Sequence, residues 1–194
     1  LLVANTHDWA LFFTNRGRVF SAKVHAVPDA SRQAKGIPII NLPGVQVEQR
    51  EYVSAIISLP QFEPDHYLVM ATRQGKIKKT SLGEYAKIRA NGLIAINLQG
   101  GDELQWVGLS DGQNDIIVAT KKGQAARFRE AEVRPMGRDT MGVTAIRLKR
   151  DDELIGMEVV LNRDDELLVV TEQGFGKRTE VQEFPITHRA TGGV

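Results

Sequence analysis

The side chains of this sequence best suited to a chemical task are its lysines and arginines, and the task they suit is holding phosphate. An apolar run followed by Thr-x-x-Gly occurs four times, as Thr14-Asn15-Arg16-Gly17, Thr72-Arg73-Gln74-Gly75, Thr120-Lys121-Lys122-Gly123 and Thr171-Glu172-Gln173-Gly174. Each copy leads on to an arginine and a second glycine: Arg32/Gly36, Arg89/Gly92, Arg138/Gly142 and Arg189/Gly193. The four windows from threonine to second glycine hold 20 of the 25 basic residues and 8 of the 24 acidic ones, a net charge of +12. The rest of the chain carries 5 basic and 16 acidic groups, net −11. The whole-chain charge of +1 argues by itself against a nucleic-acid partner, but it is a cancellation between segregated parts of each repeat. Basic hairpins alternating with acidic loops for solubility would explain one such cluster. Here the bias recurs in register in three windows, and only the fourth is neutral.

Bond-making chemistry finds no support. The histidines His7, His25, His66 and His188 are scattered, without the spacing of a metal site or a triad. Asp151-Asp152-Glu153 and Asp164-Asp165-Glu166 do not match a calcium loop and read as acidic turns. Gly174-Phe175-Gly176-Lys177-Arg178-Thr179 lacks the glycine spacing of a phosphate loop and leads toward a strand. No Gly-x-Ser-x-Gly elbow occurs. With no cysteine, a disulfide framework, a Cys-ligated zinc and a thiol nucleophile are excluded, which fits a cytoplasmic protein. No apolar run approaches the roughly 20 residues of a membrane helix, and no leader pattern opens the sequence. The start at Leu1-Leu2-Val3, without methionine, is expected of a piece of something longer.

The elements that position the basic windows read as β-structure. A short apolar run, a turn ending in glycine and a second short run describe a hairpin, with the glycine supplying positive φ. Tyr67–Ala71 and Ile116–Ala119 are apolar without alternation, as strands buried on both faces would be. Asp102-Glu103-Leu104 and Asp152-Glu153-Leu154 begin a further strand, with Glu51-Tyr52-Val53 in the same place in the first unit. Four short strands per repeat predict an all-β fold of radial blades. The repeats are bounded near 1–53, 54–104, 105–154 and, incomplete, 155–194, within a single domain. In such a fold the basic windows would form a band around the particle. Strand parity complicates this: Lys76 and Lys78 lie one and three residues past their glycine, Arg127 and Arg129 four and six past theirs. A bulge or loop is therefore expected to bring them to one face.

Trp9–Phe20 (WALFFTNRGRVF), Ala30–Leu42 (ASRQAKGIPIINL), His66–Thr80 (HYLVMATRQGKIKKT) and Val133–Leu148 (VRPMGRDTMGVTAIRL) resemble the C-terminal domain of DNA gyrase A over essentially the whole chain. The paralogous domain of topoisomerase IV is the second choice. The resemblance implies a β-pinwheel, related to a propeller, whose basic perimeter bends and wraps duplex DNA. It further implies the rest of gyrase A, together with gyrase B, as partners, and a bacterial cytoplasmic, nucleoid-associated location with no membrane. ATP and magnesium would belong to other parts of the parent enzyme, with no cofactor in this chain. Two departures stand out. The family's Gln-Arg-Arg-Gly-Gly-Lys-Gly box is degenerate at all four equivalent places, and about four repeats are present where six blades are usual, so a fragment of a six-bladed domain is expected. The strand-cleaving tyrosine of the family lies in another domain, and Tyr52, Tyr67 and Tyr85 are expected to pack within the repeats, leaving this chain without cleavage activity.

Phosphate contacts are accordingly expected at Arg18, Lys23, Arg32, Lys35, Lys76, Lys78, Lys79, Arg89, Lys121, Lys122, Arg127, Arg129 and Arg138. Lys177, Arg178 and Arg189 of the neutral fourth window should contribute less. The competing expectation is a protein-binding propeller scaffold, although the Gly-His and Trp-Asp signatures of such repeats are missing.

Overall fold

Thr-x-x-Gly is a hairpin closure repeated four times. In each copy the glycine N–H donates to the threonine carbonyl at 2.9–3.0 Å. The threonine hydroxyl in turn accepts from the N–H four residues on, at 3.2–3.3 Å, from Arg18, Lys76, Gln124 and Phe175. The hydroxyl thus holds the first residue after the turn, and the glycine takes the left-handed backbone that other residues avoid, with φ between 76° and 83°.

The computed structural model describes residues 2–194. The four hairpins pair β1 (Trp9–Thr14) with β2 (Arg18–Lys23), β4 (Tyr67–Thr72) with β5 (Lys76–Ser81), β8 (Asp115–Thr120) with β9 (Ala125–Arg129), and β12 (Glu166–Val170) with β13 (Gly176–Glu180). On one side of the first three hairpins an inner strand is added: β3 (Val53–Leu59), β7 (Leu104–Ser110) and β11 (Leu154–Val160). The acids before these strands hold the hairpin turns. Asp102 accepts from the Gln74 N–H at 2.9 Å, Asp152 from the Lys122 N–H at 3.0 Å, and Glu51 from the Thr14 hydroxyl at 2.7 Å.

The opposite edge is built by exchange. β6 (Leu93–Ile94) follows the second hairpin in sequence yet pairs with β2, and β10 (Val143–Thr144) follows the third hairpin yet pairs with β5. The sheets therefore run β3-β1-β2-β6, β10-β5-β4-β7, β11-β8-β9 and β12-β13. Counted by sheet, blades close after Leu59, Ser110 and Val160, because each inner strand pairs with the hairpin before it.

The core lies between blades. Leu11, Phe13 and Val19 of the first pack with Leu68, Met70 and Tyr85 of the second. Val69, Ala71 and Ile77 of the second pack with Ile116, Val118 and Phe128 of the third. Alternation along a middle strand thus divides residues between the preceding and the following blade, which is why β4 and β8 read as uniformly apolar. The far side of the first blade, with Ala10, Phe12 and Phe20, is covered by Ile39, Leu42 and Val45 of the long loop before β3.

The second glycines, Gly36, Gly92, Gly142 and Gly193, also have positive φ. At Gly142 a Cβ would lie 2.4 Å from the Ile77 carbonyl oxygen, whereas Gly36 has nothing within 4 Å of that position. Gly36→Ala should therefore cost about 1–2 kcal/mol, from the backbone conformation alone. Gly142→Ala should exceed that loss by about 2 kcal/mol or more, because the exchanged strand must move. Urea unfolding of the two variants checks this, and equal losses would refute the close approach.

Candidate nucleic-acid interface

Three of the cations expected at the surface are interior. Lys78 is fully buried, its Nζ donating to the carbonyls of Ala95, at 2.6 Å, and Arg138. Lys79 is buried against Glu130, with 3.4 Å between charged atoms, and lies 5.1 Å from the centre of the Tyr67 ring. Arg127 is buried in an ion pair with Asp115 at 2.7 Å. None of the three can meet a phosphate, and they leave the candidate set. The bulge expected from strand parity is also missing from this edge. β5 and β9 pair in the same register, Ala71 with Ile77 and Ala119 with Ala125, and the bulges fall on the inner-strand side. Both faces of these strands are covered by neighbouring blades, so parity selects which neighbour a cation meets rather than whether it is exposed.

A second group is already engaged, at or near the hairpin turns except for Lys23 at the far end of β2. Arg18 donates to the Glu51 carboxylate at 2.9 Å and lies 5.0 Å from the Phe20 ring centre. Lys23 donates to the His7 carbonyl at 2.9 Å over the Trp9 ring. Lys76 approaches the Thr144 hydroxyl at 3.4 Å, Lys121 pairs with Glu153 at 3.2 Å, and Lys122 donates to the Arg150 carbonyl at 2.6 Å. These turns meet the acids that begin the inner strands, so much of the +12 is neutralised there.

The remaining cations belong mostly to the loops that follow the hairpins. Those after the second and third hairpins cross to the preceding blade through β6 and β10, whereas the loop after the first returns to β3 of its own blade. Arg32, Lys35 and Arg89 are exposed on them, and Arg129 is exposed at the end of β9. Among the described residues none of their side chains has an ionic or hydrogen-bonding partner. Lys87 and Arg134 stand on the same loops in the same state. They lie inside the basic windows, so the charge pattern marks them although no motif singles them out.

Arg138 and Arg189, four residues before their glycines, serve as anchors. Arg138 approaches Glu84 at 3.7 Å and the Ile94 carbonyl at 3.4 Å. Arg189 makes the equivalent reach, its N–H to Glu132 at 3.1 Å and its guanidinium to the Thr144 carbonyl at 3.2 Å. In the fourth hairpin Lys177 is exposed, and Arg178 is exposed beside Glu166 at 2.9 Å.

The other candidate groups resolve simply. Tyr85 is buried with its hydroxyl near the Ala95 carbonyl, and burial pushes its pKa up. Tyr67 is half-buried, whereas Tyr52 is 47% exposed and its hydroxyl accepts from Gln105 at 2.9 Å. His66 lies 3.0 Å from Glu63 and 3.1 Å from Asp65, a partly exposed cluster that residue spacing did not reveal. No helix among the described residues is long and apolar enough to cross a membrane.

Radial hairpin blades that exchange their outer strands, with unpaired cations on the crossing loops, define a protein of the propeller class. The chain belongs to the family of DNA gyrase C-terminal domains of beta-propeller form, matching it over residues 8–58, 66–111, 114–161 and 165–194. It is 42% identical to the DNA gyrase A protein of Staphylococcus aureus (strain MRSA252) over 196 aligned residues, covering all of this chain and 22% of that protein. The chain thus spans about a fifth of the length of such relatives. Among solved structures, the C-terminal domain of a DNA topoisomerase IV superposes with a TM-score of 0.86 at 33% identity, covering 98% of this chain and 58% of that one. A DNA gyrase A C-terminal domain gives 0.82 at 25% identity, covering 98% and 60%.

Two buried groups give opposite pH signatures. Burial raises the Glu51 pKa, but hydrogen bonds from Arg18, Thr14 and the Glu48 N–H, with the Arg18 charge, outweigh it and bring the group from 4.5 to about 2. The stability this supplies is present above pH 4.5 and is lost as pH falls toward 2. The stability advantage of the wild type over Glu51→Gln should therefore shrink across that interval. Burial lowers Lys78 from 10.5 to about 8, against the opposing pull of Glu84 and Asp139. Between these values the unfolded chain binds more protons, so wild-type stability relative to Lys78→Met should rise from pH 8 to 10.5. Urea midpoints across the two ranges check both signs.

Proposed function

We propose that this chain binds duplex DNA without regard to sequence on its inter-blade loops, and bends it around the outer edge of the blades. In that role it is the DNA-wrapping part of a type II topoisomerase, within a gyrase A protein. The observation that carries this reading is the recurrence of exposed, unpartnered cations on the loops that follow successive hairpins: Arg32 and Lys35 on the loop before β3, then Lys87 and Arg89, then Arg134, on the loops that cross to the preceding blade. Lys and Arg at such places neutralise phosphates and release counterions, giving affinity with steep salt dependence and little base readout. Smoothly bending a 20–30 bp site costs about 1–6 kcal/mol, which several phosphate contacts on successive blades offset.

In the whole protein the bent segment would be presented for strand passage. The other parts of gyrase A, with gyrase B, would supply cleavage and ATP-dependent negative supercoiling in the bacterial cytoplasm. The neutral window of the fourth hairpin should hold DNA less tightly, with Lys177 and Arg178 as its exposed cations.

The test is a salt titration of affinity on two unrelated duplexes. Replacing Arg32, Lys35, Arg89 and Arg129 by alanine should lower the log–log salt slope by about 0.9 for each phosphate no longer neutralised, equally on both duplexes. Lys121→Ala with Lys122→Ala, at the acid-paired turn, should change the slope by less than about 0.5. Affinity that is flat with salt in the wild type would overturn the reading and favour a protein-binding scaffold. A loss confined to one duplex would point to base readout instead.

A further inference from the structure

Lys79 and Arg127 hold the same place in successive units, four residues past the hairpin glycine, opposite Val69 and Ile117. Each crosses from its own blade to the next and ends on the backbone carbonyl of the first residue of the 3-10 turn there. Lys79 Nζ lies 3.2 Å from the carbonyl of Glu130. Arg127 Nη1 lies 2.8 Å from that of Val181 and 3.3 Å from that of Phe184. Both cations are 4% exposed and both are neutralised, Lys79 by Glu130 and Arg127 by Asp115. The turns they grip, Glu130–Glu132 and Val181–Glu183, open directly into the loops that carry Arg134 and Arg138, and Arg189.

We propose that Lys79 and Arg127 are positioning residues that set the angle between consecutive blades, and through it the curvature offered to bound DNA. The second half of this rests on the proposed DNA-bending role; the first half stands on geometry alone. Arg127, held by the Asp115 carboxylate of its own blade and by turn carbonyls of the next, and Lys79, held by both the carbonyl and the carboxylate of Glu130, leave the neighbouring blade little freedom to tilt. Tilting would strand a charge-assisted hydrogen bond in a site closed to water. In the first unit Ser21 holds this place before the turn Leu82–Tyr85, so the device is confined to the second and third junctions. Arg178 occupies the same place in the fourth unit, and there, with no such turn against it, the side chain is 70% exposed and pairs with Glu166 of its own hairpin.

Arg127→Lys separates the two halves of the arginine's work. Nε and Nη2 both bond Asp115, at 3.1 and 2.7 Å, and only Nη1 crosses to the next blade. A lysine has one ammonium, which the Asp115 carboxylate of its own blade holds away from the turn; Lys79 crosses because Tyr67 stands in that acid's place on its own blade. The chain has no cysteine, so Gln113→Cys and Glu172→Cys place spin labels on the third and fourth blades without background. In that background Arg127→Lys should broaden the inter-label distance distribution by about 1.5-fold or more. In the unlabelled chain it should lower the bend of a 40 bp duplex measured by end-to-end energy transfer. Affinity for a duplex of about one helical turn should stay within about twofold of wild type.

An unchanged distance distribution would overturn the proposal. So would a loss of affinity for the short duplex as large as that for the long one, since Arg127 would then be a phosphate contact. Lys79→Met combined with Glu130→Gln, labelled at Gln74 and Gln113, repeats the test between the second and third blades with a neutral pair. If the wild type itself does not bend DNA, the proposed function fails while the label distances still decide the coupling.

Discussion

Every blade of this chain depends on its neighbours for a core. A hairpin with one added strand has two apolar faces, and neither can be buried within the blade. Leu68 and Met70 turn to the first blade while Val69 and Ala71 turn to the third, all fully buried. Burying a side chain of this size contributes about 1.5–3 kcal/mol, and nearly all of that is collected at blade junctions. The exchange of outer strands follows from the same constraint, since β6 and β10 tie each junction with backbone hydrogen bonds while their loops close it from outside. Where no blade lies against a face, Ile39, Leu42 and Val45 cover it on the first blade, whereas Leu168, Val170 and Phe175 of the fourth hairpin are exposed.

This dependence explains what the sequence made legible. The repeat was visible because each unit must solve the same junction with the same parts. Threonine and glycine close the hairpin, an acid holds the turn, and a second glycine admits the exchanged strand beneath the carbonyl of Ile77. The exchange itself was hidden, because Leu93–Ile94 and Val143–Thr144 are two-residue strands whose partners lie in the preceding unit. For the same reason the borders 53, 104 and 154 fall at the start of inner strands that pair backward onto β1, β4 and β8.

The basic windows recur along the chain, but only part of each lies at the surface. Equivalent positions have different fates depending on what lies beyond them. Lys78 is sealed inside, whereas Lys177, three residues past its own glycine, is exposed. Lys79 and Arg127 are interior, whereas Arg178 is not. No count of charges along a window separates these cases, because burial here is decided by the next unit and not by local alternation. The cations that are exposed and unpartnered, Arg32, Lys35, Arg89 and Arg129 with Lys87 and Arg134, share a position on or beside the loops after the hairpins more than they share a motif.

Those loops do two jobs with one piece of chain. The loop of the third unit leaves the 3-10 turn that buried Lys79 of the preceding blade grips, and it ends in β10, paired to that same blade. Between these two attachments Arg138 adds a third, reaching Glu84 and the Ile94 carbonyl. A loop held at three points cannot drift independently of the junction it spans, so its free cations report the junction's angle directly. A flexible cationic tail would supply the same Coulomb attraction, yet it would follow a straight duplex as readily as a bent one. In the proposed role, mounting the charge on the straps between blades would convert a property of the core, the packing angle of Val69 and Ala71 against Ile116 and Val118, into a curvature that a polyanion has to match to gain all its contacts.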